Sequence, residues 1–160
     1  MEDKKKYKKQ PPAVQKILLG MIGERIVASI LRKNGHLVEE SLNVFDTEKD
    51  MLVDGNPVEV KTQVPYVIED SFAVFPNQLP KLRSCHRVYY VSVPTRIADD
   101  LAGCVFELDM HGDVKAHRTR RHDGTEVVCF PRRQSAMKVI GQITDEAILK
   151  QLRYLSTSYL

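Results

Sequence analysis

Three residues near the middle of the chain have the types and spacing that metal-assisted hydrolysis needs. Asp50 precedes Glu59 by nine residues, and Lys61 follows Glu59 by two. Mg²⁺ takes oxygen ligands, commonly one or two carboxylates completed by water and substrate phosphate. A neighbouring lysine can orient or help deprotonate the attacking water and offset developing negative charge. Together these residues suit phosphodiester hydrolysis, whereas the alternative is a solvated strand face with a cross-strand ion pair.

A β-hairpin is predicted to bring these residues together. Gly55-Asn56 is the expected two-residue turn, because both residues tolerate positive φ. The resulting register places Val53 opposite Val58 and Asp50 opposite Lys61. Because strand faces alternate with period two, one apolar face and one polar face follow. The apolar face comprises Met51, Val53, Val58 and Val60, and the polar face comprises Asp50, Glu59 and Lys61.

A fourth carboxylate, Glu24, falls on the first predicted helix, residues 13–34. Its apolar stripe follows helical spacing and comprises Ile17, Met21, Glu24, Ala28 and Leu31. A charge on a core-facing stripe is costly unless it is paired or near a metal. The alternative is a glutamate at the stripe edge that reaches solvent. Gly20 and Gly23 would permit close approach of the helix backbone to a strand or to nucleic acid.

Length and composition indicate one globular domain. The chain has 160 residues, of which 42% are hydrophobic and 28% charged, and it contains no apolar run long enough for a membrane span. The three scattered cysteines predict reduced, partly buried thiols of a cytoplasmic protein rather than a disulfide framework. No CxxC or histidine-rich spacing points to zinc.

The net charge of +3 is concentrated at the N-terminus, where residues 1–9 hold five lysines against two acidic residues. Residues 1–12 are therefore predicted to form a flexible basic arm that contacts phosphates through Lys5, Lys6, Lys8 and Lys9. A solubilising tail is the alternative. Further phosphate contacts are expected from Gln78, Lys81, Arg118, Arg120, Arg121, Arg132 and Arg133. These residues could equally be plain surface.

The remaining elements are predicted from periodicity and turn residues. A strand and the loop after it are expected over 36–45, further strands over 71–75, 86–93 and 126–130, and a short helix over 77–83. A helix over 95–102 and a hairpin of 105–109 with 114–117 are expected next. Thr144 can cap a last helix. Tyr89 and Tyr90 could stack on bases, but alternating tyrosines in a strand favour the core.

The order of these elements and motifs resembles the PD-(D/E)XK nuclease superfamily, in particular its small Holliday-junction-resolvase-like members. The matching residues are Gly20-Met-Ile-Gly-Glu24, Asp50 and Glu59-Val-Lys61, and the resemblance covers residues 13–93. Two departures stand out. Lys49, not proline, precedes Asp50, and the region after Pro94 matches no known member, so substrate choice would be built there.

The resemblance implies a fold and an activity. The fold is α/β, with a restriction-endonuclease-like α-β-β-β-α-β core and a mixed sheet. It would form a single nuclease domain over 13–160, with residues 94–160 as a C-terminal hairpin and helix extension. The implied activity is metal-dependent endonucleolytic hydrolysis of DNA, including structure-specific cleavage of branched or junction DNA. A catalytically silent nucleic-acid-binding module, an exonuclease acting on DNA ends and a purely structural protein are the alternatives.

The resemblance also implies roles for residues. Mg²⁺, with Mn²⁺ able to substitute, would be bound by Asp50, Glu59 and the backbone carbonyl of Val60. Glu24 would contact water on the metal or a second ion, and Lys61 would position the nucleophilic water. Gln63 matches a polar position that some members place near the site. The implied partner is DNA, and no association with a membrane is implied. The implied location is the cytoplasm, or the host cytoplasm if the protein is phage-encoded. A homodimer is compatible with symmetric cutting of the two strands.

Overall fold

Three helices and nine strands form the part of the chain that the computed structural model describes, residues 12–40, 51–66, 69–94 and 99–156. The predictions for Asp50 and for the basic arm before residue 12 lie outside these ranges. The helices are α1 (Pro12–Lys33), α2 (Leu79–Ser84) and α3 (Glu146–Ser156), and a 3₁₀ turn spans Pro76–Gln78. The strands are β1 (Val38–Glu40), β2 (Met51–Val53), β3 (Asn56–Gln63), β4 (Ser71–Val74), β5 (Arg87–Ser92), β6 (Cys104–Leu108), β7 (His117–Arg120), β8 (Glu126–Pro131) and β9 (Met137–Gln142).

The strands form two sheets. The larger sheet has the order β1-β2-β3-β5-β6-β9, in which β3 and β5 are parallel and the other neighbours antiparallel. The smaller sheet has the antiparallel order β4-β8-β7. Parallel neighbours need a crossover connection, and here β4 and α2 supply it. The chain is therefore an α/β protein with a mixed sheet, which confirms the predicted fold class.

Strand β3 separates two hydrophobic cores because its side chains alternate between faces. Val58 and Val60 pack with α1 and α3 in one core. The other core gathers residues of α2, β5 and the smaller sheet, including Phe72, Tyr90 and Phe130. The polar residues of β3 at positions 59, 61 and 63 therefore point toward the second core.

The β2–β3 hairpin turns one residue earlier than predicted. Asp54 and Gly55 occupy the turn with φ of 51° and 81°, and Val53 pairs with Asn56. Asp-Gly is a preferred pair for a turn that needs positive φ at both positions. The predicted pairing of Val53 with Val58 is wrong, since Val58 pairs with Met51. The shift spans two residues, so the faces are unchanged and the predicted apolar face is buried as expected.

Helix α1 buries a stripe that shares only Ala28 and Leu31 with the predicted one. The buried residues are Gln15, Leu19, Gly23, Val27 and Leu31, which follow steps of four, together with Ala28. Ile17, assigned to the core from sequence, is 44% exposed. Glu24 is half-buried at the edge of this stripe, four residues before the buried Ala28. A Cβ on Gly23 would clash with Thr62 Oγ1, so this glycine permits close helix–strand contact as predicted, whereas Gly20 faces open space.

The C-terminal half differs most from the prediction. Residues 95–98 of the predicted helix lie outside the described residues, and residues 100–103 form turns. The predicted partner of 105–109 is wrong because β6 pairs with β5 and β9, and β7 pairs with β8. Strand β9 was not predicted and pairs with β6. Asp145, rather than Thr144, accepts the backbone N–H of Ala147 at 2.8 Å and caps α3.

The three cysteines are buried thiols, as predicted. Of the helices in the described ranges, none combines the length and apolar character that a membrane crossing requires.

Candidate active site

The predicted Glu-x-Lys pair forms a charged cluster on the α2-facing side of β3. Lys61 Nζ lies 3.1 Å from Glu59 Oε1. Lys81 of α2 reaches the other oxygen, with Nζ 2.9 Å from Glu59 Oε2. Glu59 is only 3% exposed, so its charge is held in a low-dielectric setting and requires cationic partners. Lys81, predicted as a DNA contact, is therefore part of this cluster.

The strand next to the Glu59–Lys61–Lys81 cluster is β5, which pairs in parallel with β3. Lys61 pairs with Tyr90, whose ring stacks on Phe72 with 4.3 Å between centroids. The Tyr90 hydroxyl is buried and has no hydrogen-bond partner in the described part of the chain. Burial, and secondarily the charge of Glu59, raise the pKa of this phenol. Tyr89 and Tyr90 are core residues, as favoured from sequence.

Gln63 ties β3 to β4 rather than projecting into open space. Its amide nitrogen donates to the Ala73 carbonyl at 3.0 Å, and its amide oxygen accepts from the Ala73 N–H at 2.7 Å. Both the nitrogen and the oxygen of the Gln63 amide are thus hydrogen-bonded to the backbone of Ala73. In this position Gln63 fixes the smaller sheet next to the Glu59 cluster.

Glu24 and Glu59 come from different sides of the larger sheet. Helix α1 packs on the face of Val60 and Thr62, whereas Glu59 faces α2. Glu24 directly follows Gly23, the residue of closest contact with β3. Asp50 lies outside the described residues and immediately precedes Met51, whose strand partner Val58 immediately precedes Glu59.

Arg132 has a structural environment that contradicts its prediction as a phosphate contact. It is 7% exposed. Its guanidinium donates to both Asp70 and Asp99, with 2.7 Å from Nε to Asp70 Oδ1 and 3.0 Å from Nη2 to Asp99 Oδ1, and to the Ser92 hydroxyl at 3.1 Å. Because its donors are committed to these partners, Arg132 is a buried link between the two sheets.

The four other arginines predicted as phosphate contacts lie at the surface. Arg133 is exposed and pairs with Asp100 at 2.7 Å. Arg118 and Arg120 project from β7, where Arg118 pairs with Glu126 at 2.6 Å and Arg120 donates to the Gly124 carbonyl at 3.0 Å. Arg121 follows them and is exposed. Gln78 ends the 3₁₀ turn before α2 and is half-buried. Lys5, Lys6, Lys8 and Lys9 lie outside the described residues.

A second group of possible metal ligands was missed from sequence. Glu69, His117 and Cys129 each offer a donor atom, and the three atoms lie within 4.8 Å of one another. The hydrogen bond with the Cys129 thiol, more than the contact with His117, lowers the pKa of Glu69. Burial, and then the Glu69 carboxylate, raise the pKa of Cys129 to about 12. No short motif links these residues, because strand pairing brings them together.

A third charged group lies at the start of β5. Glu107 accepts a hydrogen bond from the Tyr89 hydroxyl at 3.0 Å and lies 3.7 Å from Arg87 and 3.5 Å from Lys138. Arg87 also approaches Asp109 at 3.5 Å. These opposite charges face one another, so the group is balanced internally.

The chain has no significant match to a protein-family profile, a curated protein or a solved structure.

Proposed function

We propose that this protein is a metal-dependent nuclease of the PD-(D/E)XK type that hydrolyses DNA phosphodiester bonds. The observation that carries the proposal is the contact between Glu59 and Lys61, 3.1 Å apart on one face of β3. An acidic residue and a lysine placed two apart are common in sequences, and the pair gains meaning from its burial beneath α2. A buried carboxylate with lysine partners is a costly arrangement that functional sites often contain.

The element order supports the proposal. An α-helix, three antiparallel strands, a helix and a strand parallel to the third follow one another along the chain as α1, β1, β2, β3, α2 and β5. This is the order that the resemblance to the superfamily implies. The additional strand β4 between β3 and α2 belongs to the smaller sheet.

The donor chemistry of the site fits Mg²⁺. The Glu59 carboxylate already attracts positive charge, since two ammonium groups lie within 3.1 Å of its oxygens. Asp50 and the Val60 carbonyl would complete an oxygen-only set, which is what Mg²⁺ and Mn²⁺ prefer. Glu24 is left out of this set because α1 packs on the side of the sheet opposite to Glu59. When bound, the ion would supply Lewis-acid polarisation of the phosphate and a lower pKa for water.

The protein's own residues would divide the remaining work. Lys61 orients the attacking water and offsets negative charge that develops on the phosphate. Lys81, which shares Glu59, would exchange this carboxylate for a phosphate oxygen when DNA binds. Gln63 holds the wall formed by β4 in place. The exposed arginines on and after β7 would contact the phosphate backbone of DNA.

One observation favours a catalytically silent module instead. Both oxygens of Glu59 are engaged by lysines, and such a closed ion-pair network would stabilise the fold without binding a metal. This alternative predicts DNA binding that is insensitive to Mg²⁺ and no strand cleavage.

A cleavage panel separates the two functions. The full chain is incubated with branched, flapped, linear and single-stranded DNA in Mg²⁺, in Mn²⁺ and in excess chelator, and binding is measured on the same substrates. The nuclease proposal predicts cleavage of at least one substrate that chelator abolishes. Binding without cleavage of any substrate in either metal would support the silent module. Endonuclease and exonuclease action are distinguished by comparing closed circular with linear DNA.

A further inference from the structure

We propose that Glu69, His117 and Cys129 form a second metal site, distinct from the Glu59 cluster, which takes a borderline-soft cation of the Zn²⁺ class. The three ligand atoms lie within 4.8 Å of one another, and Glu69 Oε2 is 3.3 Å from His117 Nε2. Ligand atoms around tetrahedral Zn²⁺ are separated by about 3.3 to 3.6 Å, given bond lengths of about 2.0 to 2.3 Å. Small side-chain movements would therefore suffice for binding.

The smaller sheet places these residues by strand pairing. His117 on β7 is the register partner of Cys129 on β8. Cys129 is also the register partner of Ala73 on β4, and Glu69 lies just before that strand. Strand β7 on one side of β8 thus brings His117 to Cys129, and the segment before β4 on the other side brings Glu69. The sheet backbone fixes His117 and Cys129, whereas Glu69 lies in the turn that leads into β4.

The donor set selects the kind of cation. A thiolate, an imidazole and a carboxylate suit Zn²⁺, whereas Mg²⁺ prefers oxygen ligands alone. On binding, the Cys129 thiol gives its proton to buffer, and Glu69 exchanges its contacts with the thiol and with His117 for the metal. Three protein ligands leave a fourth tetrahedral position for water. The cation would tie β7, which carries Arg118 and Arg120, to the segment that precedes β4.

The competing explanation is a partly exposed ion pair beside a buried thiol. Side-chain exposure is 47% for His117 and 29% for Glu69, so their interaction alone contributes little to stability. This explanation predicts no stoichiometric metal binding and no thiolate–metal spectrum.

Cobalt titration of the full-length protein tests the site, because a thiolate bound to Co²⁺ gives a near-ultraviolet charge-transfer band that carboxylate and imidazole do not. The proposal predicts this band at one equivalent of Co²⁺, its loss on adding Zn²⁺ and its persistence in excess Mg²⁺. Calorimetry of Zn²⁺ binding in buffers of different ionisation enthalpy should detect the released proton. The Glu59→Gln variant should keep the band, which makes the test independent of the proposed nuclease site.

Variants of the two partly exposed ligands complete the test, since Cys129 is buried and its replacement could unfold the sheet. His117→Gln and Glu69→Gln should each weaken Co²⁺ binding by more than about tenfold. His122→Gln, at an exposed histidine beyond β7 and outside the cluster, should bind like wild type. Absence of the band in the wild-type protein, or unchanged affinity in both ligand variants, would overturn the proposal.

Discussion

Lys61 and Glu59 lie two residues apart on β3, and their charged atoms are 3.1 Å from each other. Strand alternation alone puts them on one face, and α2 adds Lys81 to the other carboxylate oxygen. A local pair is thereby buried under a helix that is more than 15 residues away in sequence. The cost of burying this carboxylate is met by two ammonium groups, and a divalent cation would meet the same requirement.

The contact between α1 and β3 should depend on the absence of a side chain at Gly23. In Gly23→Ala the new Cβ would meet Thr62 Oγ1, and we expect a loss of about 1 to 3 kcal/mol because of overpacking. Gly20→Ala is the matched control, since that position faces open space, and it should stabilise the helix by up to about 1 kcal/mol. Urea unfolding measures both, and equal effects would contradict the packing argument.

Arg132 and Arg133 are neighbours with opposite environments. Arg132→Ala would leave Asp70 and the largely buried Asp99 without their shared guanidinium, so we expect a loss of about 3 to 5 kcal/mol. Arg133→Ala removes an exposed pair with Asp100 and should cost less than about 1 kcal/mol. Equilibrium unfolding of the two variants measures both losses of stability. A small effect of Arg132→Ala would mean that the buried pairs do not hold the sheets together.

Sequence periodicity is sufficient for elements whose pattern is local. Strand β5 is predictable because apolar and aromatic residues fill it, and five of its six residues are fully buried. The faces of β3 are predictable because alternation survives a two-residue register shift. The turn itself was misplaced, although Asp54-Gly55 is a strong signal for it. The Asp54 conformation is supported by the Leu37 N–H at 2.9 Å, an interaction that local patterns do not contain.

Residues whose roles depend on distant partners could not be predicted. Arg132 is fixed by Asp70, 62 positions away, and by Asp99, 33 positions away. His117 and Glu69 are 48 positions apart. Strand β9 was missed because its burial does not alternate, with Val139 exposed in its centre. Charge and residue type identified Glu59 and Lys61, but only packing shows which basic residues are buried.

The hairpin turn should make stability sensitive to acid. The hydrogen bond with His36, followed by that of the Leu37 N–H, lowers the pKa of Asp54. The folded state then binds fewer protons than the unfolded state, so this contribution is complete above about pH 4 and is lost as the pH falls further. Asp54→Asn tolerates the same φ but cannot titrate.

Thermal unfolding from pH 7 to pH 3 measures this effect. The difference in Tm between wild type and Asp54→Asn should shrink as the pH falls below about 4. A difference that stays constant over the whole range would show that the carboxylate charge is not what supports the turn.

The exposed arginines on and after β7 should act on DNA through the phosphate backbone. Replacing Arg118, Arg120 and Arg121 with glutamine should weaken binding across sequences. The slope of log K against log salt should become shallower by about 0.9 for each phosphate group that is no longer neutralised. Lys150→Gln on the exposed side of α3 serves as the control. Fluorescence anisotropy at several salt concentrations measures the slope, and an unchanged slope in the triple variant would leave these arginines as ordinary surface.

The nuclease proposal is tested most directly by the rate of plasmid nicking in Mg²⁺ for wild type, Glu59→Gln and Glu39→Gln, the last at an exposed strand glutamate. Because metal and charge stabilisation contribute several kcal/mol, Glu59→Gln should lose at least about 100-fold in rate, while Glu39→Gln should match wild type. Circular dichroism must show that Glu59→Gln stays folded. Equal nicking by folded Glu59→Gln and wild type, or no nicking by wild type on any substrate, would contradict the account.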